Sequence, residues 1–274
     1  MALPPRPLLI LHSNGAFRER LRRVGARGFH CAFVPDWERL RQAVVNAPPA
    51  AIVIVDPYDG DGRALSGELR TLLWEFPSAT VLAALQIRPG QSRDLRTLGE
   101  WGVTDVIALE EDDTPEAIYR RLRSVEGRSL QTLLERTLPP LLSGRTRMLM
   151  MTAAEVVAMG GKGRELARRL HLSERTVLRW AERGGLPPPR RLLAWMRILL
   201  AASLLDDPGR TVLSVAHACG YSSDSSLRRA MQDFLATGPS ALRREGAFPY
   251  ASRMFLEELA QTRVSARDRH SLRF

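Results

Sequence analysis

The chain has 274 residues, with 40 Lys and Arg against 30 Asp and Glu and a formal charge of +10, a length suited to about two domains. A content of 45% hydrophobic and 26% charged residues is that of an ordinary globular chain and not of a disordered one, and no run of 18 apolar residues points to a membrane span. Cys31 and Cys219 are too few for a disulfide framework and lack zinc-site spacing; with no signal-peptide pattern at the start, a reducing, cytoplasmic setting is expected.

The first 125 residues alternate short apolar runs with amphipathic stretches. Strands are expected at Leu8–His12, Phe29–Val34, Ala51–Val55, Thr80–Leu85 and Asp105–Leu109. Helices follow at Ala16–Val24, at Trp37–Val45 after an Asp36 cap, at Ala64–Trp74, at Ser92–Glu100, and after Thr114 with Pro115 in the first turn. Continuous apolar strands separated by helices imply a parallel sheet covered on both faces, a doubly wound (βα)5 domain of the flavodoxin type. A short helix over Ser129–Thr137 would present Leu130, Leu133 and Leu134.

From Thr152 to Arg244 the apolar spacing is helical throughout. Pro249–Gln261 reads as one more amphipathic helix, followed by a frayed basic tail. The expected division is an α/β domain at 1–125, a linker at 126–150, an all-α domain at 151–246 and a terminal helix with its tail at 247–274. Residues 1–150 carry a net charge of +2 and residues 151–274 a net +8. Lys162 is the one lysine; the other basic residues are arginines, whose planar fork suits phosphates and guanine edges. The asymmetry points to a polyanion, nucleic acid above all, as partner of the second half.

Arg164–Arg183 reads as helix, turn and helix: Leu166, Ala167 and Leu170 on the first face, a turn at His171-Leu172, and a Ser173 cap. Val177 and Trp180 would point the second helix back onto the first, leaving Glu174, Arg175, Leu178 and Arg179 outward, where Arg can meet guanine and Leu a thymine methyl. A second copy has Val212, Val215 and Ala216 inward behind a Thr211 cap, then a turn at Cys219-Gly220-Tyr221. Ser222 or Ser223 caps its second helix, with Leu227 and Met231 inward and Asp224, Ser225, Ser226, Arg228 and Arg229 outward.

Between the copies runs Arg190–Leu205. Arg197-Ile198-x-x-Ala201-x-x-Leu204-Leu205, then Val212-x-x-Val215-Ala216-x-x-Cys219-Gly220-Tyr221, then Pro239-Ser240-x-x-Arg243 resemble, in order and spacing, the AraC/XylS-type DNA-binding domain. The resemblance covers about 162–245 and implies two helix-turn-helix units on successive major grooves of double-stranded DNA, with RNA polymerase a candidate partner. The chain departs from the family at Leu227 and Met231 (usually aromatic), at Ala236 (usually Gly), and at Trp180-Ala181, where a polar residue and then Phe are usual. The linker helix also carries a second apolar stripe, Leu192, Trp195, Met196 and Leu199, which is expected to dock on the α/β domain or on the partner in a homodimer.

The βα repeats resemble a response-regulator receiver. Asp56, ending the third strand, stands where receivers carry their phosphoacceptor. The acidic residues that would hold Mg²⁺ after the first strand are replaced by Leu11-His12-Ser13-Asn14, the Ser or Thr ending the fourth strand by Ala84-Leu85-Gln86, and the Lys ending the fifth by Leu109-Glu110. A degenerate, phosphorylation-independent receiver is therefore expected, with no metal and no cofactor; Asp56, Asp59 and Asp61 do not follow an EF-hand spacing. The expected function is sequence-specific regulation of transcription without catalysis. Its alternatives are a response regulator controlled through Asp56 and a DNA-acting enzyme such as a serine recombinase using Ser13; the latter would need arginines clustered around the serine and an Arg-Val-Ser start, which reads Leu11-His12-Ser13 here.

Overall fold

The structure is a computed structural model that describes residues 5–58, 64–125 and 142–271, the side chains of 265–271 excepted. The candidate helix bearing Leu130, Leu133 and Leu134, and also Asp59 and Asp61, lie outside the described residues. Two compact units are present, one within Pro5–Ser129 and including Asp207–Arg210, the other within Leu130–Asp206 and Thr211–Phe274.

The first unit has five parallel strands, β1 (Arg6–Leu11), β2 (Phe29–Phe33), β3 (Ile52–Val55), β4 (Thr80–Leu85) and β5 (Asp105–Ala108), in the order β2-β1-β3-β4-β5. Five helices alternate with them: α1 (Gly15–Gly25), α2 (Trp37–Asn46), α3 (Gly67–Glu75), α4 (Ser92–Trp101) and α5 (Pro115–Val125). The continuous apolar runs are explained by two cores. Leu8, Ile10, Ile52, Ile54 and Leu82 meet α1 and α5 on one face; Leu9, Val53, Val55, Val81 and Ala83 meet α2, α3 and α4 on the other. Each Leu, Ile or Val among them contributes about 1.5–3 kcal/mol on burial. The helices begin where short polar side chains take an orphan N–H: the Asn14 side chain accepts from Phe17 N and Asp36 from Arg39 N. The third helix starts at Gly67 and not at the expected Ala64, because Leu65 is drawn into a bridge with Tyr58 and Ser66 becomes the N-cap residue. Within this unit Asp207 accepts from Ser78 N (3.0 Å), from Ser78 Oγ (2.5 Å) and from Arg210 Nε (3.1 Å), so both members of a buried ion pair keep hydrogen-bonded partners.

The second unit is helical among the described residues: α6 (Gly144–Ala158), α7 (Gly163–Arg169), α8 (Glu174–Arg183), α9 (Pro189–Leu205), α10 (Val212–Ala218), α11 (Asp224–Leu235), α12 (Pro239–Glu245) and α13 (Ala247–Ser271). The boundary expected at 151 falls inside α6, whose Leu149 and Met150 are already core residues of this unit. The tail expected to fray after Gln261 continues as helix to Ser271.

The second stripe of the linker helix needs a correction. Leu192, Trp195, Met196 and Leu199 are buried, and helices of the same unit cover α9. The Trp195 ring lies 5.0 Å from Phe234 of α11 and 5.3 Å from Phe255 of α13. α6 packs along α9 as well. A helix apolar all round is buried all round; at Trp195 the cover comes from helices of its own unit, and none of the four side chains is exposed to meet a second copy of the chain.

Candidate nucleic-acid interface

Two pairs of helices, α7 with α8 and α10 with α11, repeat one local design. The first helix of each pair is followed, just past its C-cap, by a residue with left-handed backbone, His171 (φ 53°) in one and Gly220 (φ 76°) in the other. That reversal lets the next amide bond back into the helix just left: Leu172 N donates to Ala167 O at 3.0 Å, and Tyr221 N to Ala216 O at 2.8 Å. A serine then caps the second helix. Ser173 Oγ accepts from Thr176 N at 3.2 Å and Ser223 Oγ from Ser226 N at 3.1 Å.

Counted from those caps the two second helices agree in phase. The fourth and eighth residues, Val177 and Ala181 in α8 and Leu227 and Met231 in α11, are all buried. The sixth residue is arginine in both, Arg179 and Arg229, and both are exposed. The expectation for α8 was an inward pair three apart, Val177 and Trp180. Instead Ala181 takes the inner position, and Trp180 is half-buried with the Arg145 guanidinium 5.8 Å over its ring. The departure from the family pattern at Trp180-Ala181 thus leaves the helix rotation intact, since the small Ala181 sits where the helices close.

Most of the anticipated outward set is outward. Glu174, Arg175, Leu178 and Arg179 share the exposed side of α8, with Leu178 39% accessible despite being apolar. Thr176 was not anticipated: its Oγ1 accepts from Arg179 Nη2 at 3.4 Å and steadies that guanidinium, an i,i+3 relation readable in the sequence. On α11, Ser225 and Arg229 are exposed. Asp224 is tied to Arg228 at 3.4 Å, one turn along the same helix. Ser226 is a correction. Its Oγ donates to Ser223 O at 2.7 Å and accepts from Ser223 N at 3.2 Å, closing a reciprocal capping box. That hydroxyl holds the helix start, and its proton is already committed to Ser223 O rather than to a base edge.

Ala236, the C-cap of α11, sits at φ 54° and ψ 20°, in the left-handed region where the family usually has glycine. An L side chain there costs about 1–2 kcal/mol. Ala236→Gly is expected to raise the unfolding free energy of the helical unit by roughly 1 kcal/mol, less the backbone entropy glycine adds to the unfolded chain. Chemical denaturation at constant m-value checks this.

At the carboxyl ends of its strands the α/β unit has an open cleft of about 640 Å³ that includes His12, Asn14, Asp56 and Arg88. His12 is buried, with both ring nitrogens engaged: Nε2 donates to Ala84 O at 3.1 Å and Nδ1 accepts from Asn14 N at 3.1 Å. Burial holds the imidazole below its ordinary pKa, against the opposing pull of the Asp56 carboxylate, which agrees with that neutral arrangement. Asp56 Oδ1 accepts from Tyr58 N at 3.1 Å, the turn-capping role of a short carboxylate. A receiver's Mg²⁺ needs oxygen donors beside the phosphoacceptor, and the neighbour here is an imidazole with no free lone pair, so these residues do not fit that ion. Among the described residues no group of three or more His, Cys, Asp or Glu could hold a metal, and no helix is long and apolar enough to cross a membrane.

Residues 166–245 match the family model described as a helix-turn-helix domain. That part of the chain is a helix-turn-helix domain of the AraC/XylS type, preceded by a receiver-like α/β unit. The class so defined is the DNA-binding transcription regulator. Solved structures similar to the chain include full-length FixJ from B. japonicum, at 16% identity and TM-score 0.34 over 84% of this chain and 97% of that one. Another is the response regulator RcsB of Salmonella typhimurium, at 17% identity and TM-score 0.34 over 70% of this chain and 98% of that one. A third, the xylose-binding transcription activator XylR, has 13% identity and TM-score 0.38 over 88% of this chain and 70% of that one. These likenesses are too remote to carry a function across. A search of curated proteins gave no match.

Proposed function

We propose that the chain reads DNA through both helix-turn-helix units, α8 and α11 entering successive major grooves, and that its receiver-like unit works without phosphorylation. The observation that carries this reading is the equivalence of Arg179 and Arg229: each is the sixth residue after its serine cap, each is exposed, and neither pairs with a carboxylate among the described residues. An arginine held this way on an exposed helix face can take guanine bidentately. Glu174, Arg175, Leu178, Asp224, Ser225 and Arg228 complete the proposed surface, with phosphate contacts setting register and base contacts setting sequence. The role is regulatory and not enzymatic, in the cytoplasm, with RNA polymerase and a second copy of the chain as further partners.

Selection from random duplexes by the full chain, at a stated salt concentration, tests the reading. The expected product is a site with two conserved blocks about one helical turn apart. A single block, or no enrichment, rejects it. Beryllofluoride with Mg²⁺ is expected to leave oligomeric state and DNA affinity unchanged, because Asp56 caps a turn beside an imidazole and not beside metal-binding carboxylates. A change in either, checked by light scattering and fluorescence anisotropy, favours the alternative of control through Asp56.

A further inference from the structure

The linker helix α9 is flanked along its length by a second helix. α13 begins where α9 ends and runs back beside it. At one end Asp206, the C-cap of α9, accepts from Ala247 N at 2.7 Å and from Phe248 N at 2.9 Å, supplying the first turn of α13 with acceptors it lacks locally. Near the middle Phe255 lies against Trp195, with ring centroids 5.3 Å apart. One turn further Glu258 takes the Arg191 guanidinium, Oε1 and Oε2 each 2.5 Å from a nitrogen. At the far end the stem of Arg263 covers Gly185, so closely that a Cβ on Gly185 would come within 2.6 Å of Arg263 Cγ.

Three of these four contact sites also reach one of the two helix-turn-helix units. Gly185 closes the turn that follows α8. Trp195 touches Phe234 of α11 as well as Phe255, and Arg191, held by Glu258, lies 4.9 Å over the Phe234 ring. Tyr250 Oη donates to Leu235 O at the end of α11, at 3.3 Å. α13 is therefore fastened to both units, and it begins beyond the stretch that matches the family.

We infer that α13 is a specificity-determining strut: together with α9 it fixes the separation and orientation of α8 and α11, and so the spacing between half-sites that the chain accepts. The inference rests on the proposal that both units read DNA. One inserted base pair moves a half-site by about 3.4 Å along the duplex and turns it by about a tenth of a helical turn. A single helix about 26 Å long, at 1.5 Å per residue, bends more readily than two packed together. The double rod makes that displacement costly to follow, with Phe255, Glu258 and Arg263 acting as positioning residues that need not touch DNA.

The test uses the full chain and the duplex it selects. Anisotropy titrations compare that duplex, versions with one base pair inserted or removed between the blocks, and each block alone. Glu258→Arg sets two guanidiniums against each other at the edge of the α9/α13 contact. It is expected to keep single-block affinity within about twofold, to weaken two-block binding at least tenfold, and to cut the penalty for altered spacing to under threefold. Exchanging the charges, Arg191→Glu with Glu258→Arg, is expected to restore both affinity and spacing preference. Arg263→Ala loosens the opposite end with little risk to folding and is expected to shift spacing preference the same way. Wild-type affinity and spacing preference in both Glu258→Arg and Arg263→Ala overturn the inference, as does an equal loss on single blocks. If the wild-type chain selects no two-block duplex, the reading beneath the inference has failed, and that arm shows it before any variant is made.

Discussion

Phe255→Ala is expected to cost the helical unit about 3–5 kcal/mol, the range for truncating a buried aromatic to alanine. Phe255 has no exposed surface, and its ring meets Trp195, itself 1% exposed, at the junction of α9, α11 and α13. The lost ring contacts leave a void that Trp195 cannot fill, because Phe234 holds it from the other side in an edge-to-face contact at 5.0 Å. A loss of that size lowers the thermal midpoint by roughly 10–20 °C for a unit of this size. Val264→Ala, on the same helix but 58% exposed, is the control and is expected to change stability by less than about 0.5 kcal/mol. Denaturant melts of both variants at matched m-values make the comparison. Equal behaviour of the two would mean that α13 does not dock on the linker helix in solution.

The same junction marks where sequence reading stops. The strands were legible almost to the residue, as Thr80–Leu85 and Asp105–Ala108 show, because a sheet buried on both faces demands unbroken apolar runs that few other structures tolerate. The caps at Asp36, Ser173 and Thr211, and the choice of Ser222 or Ser223, were legible for a similar reason: a short polar side chain before an apolar periodic stretch has few other uses. The stripe Leu192, Trp195, Met196 and Leu199 announced that something covers it but not what does. Its cover includes Phe255, sixty residues beyond Trp195, on a helix whose own buried stripe (Ala247, Ala251, Phe255, Leu259) is one residue wide and easily read as marginal. Trp180 is the more hydrophobic of the Trp180-Ala181 pair, yet Ala181 takes the inner position, because where two helices close alanine fits and indole does not. Ser226 stands outward on a helical wheel, which does not reveal a hydroxyl turned back to its own cap.

Arg179→Ala and Arg229→Ala are each expected to weaken binding to the selected duplex by about 1–3 kcal/mol and to relax preference at one base position, in a different block for each. If the two arginines act in separate grooves, with no shared partner, their effects add. The double variant then loses about 2–6 kcal/mol, a drop of at least about 30-fold in affinity. Lysine at either position separates readout from charge, because it keeps a cation for a phosphate but not the planar fork for guanine. Arg179→Lys is therefore expected to retain most of the salt dependence while losing the base preference. Should lysine preserve that preference, Arg179 contacts the backbone and the base-reading role passes to its exposed neighbours Arg175 and Leu178. Should the double variant bind no worse than the weaker single one, only one unit engages DNA at a time. The matched phase of Arg179 and Arg229 behind their serine caps would then be a consequence of the repeated helix-turn-helix fold alone.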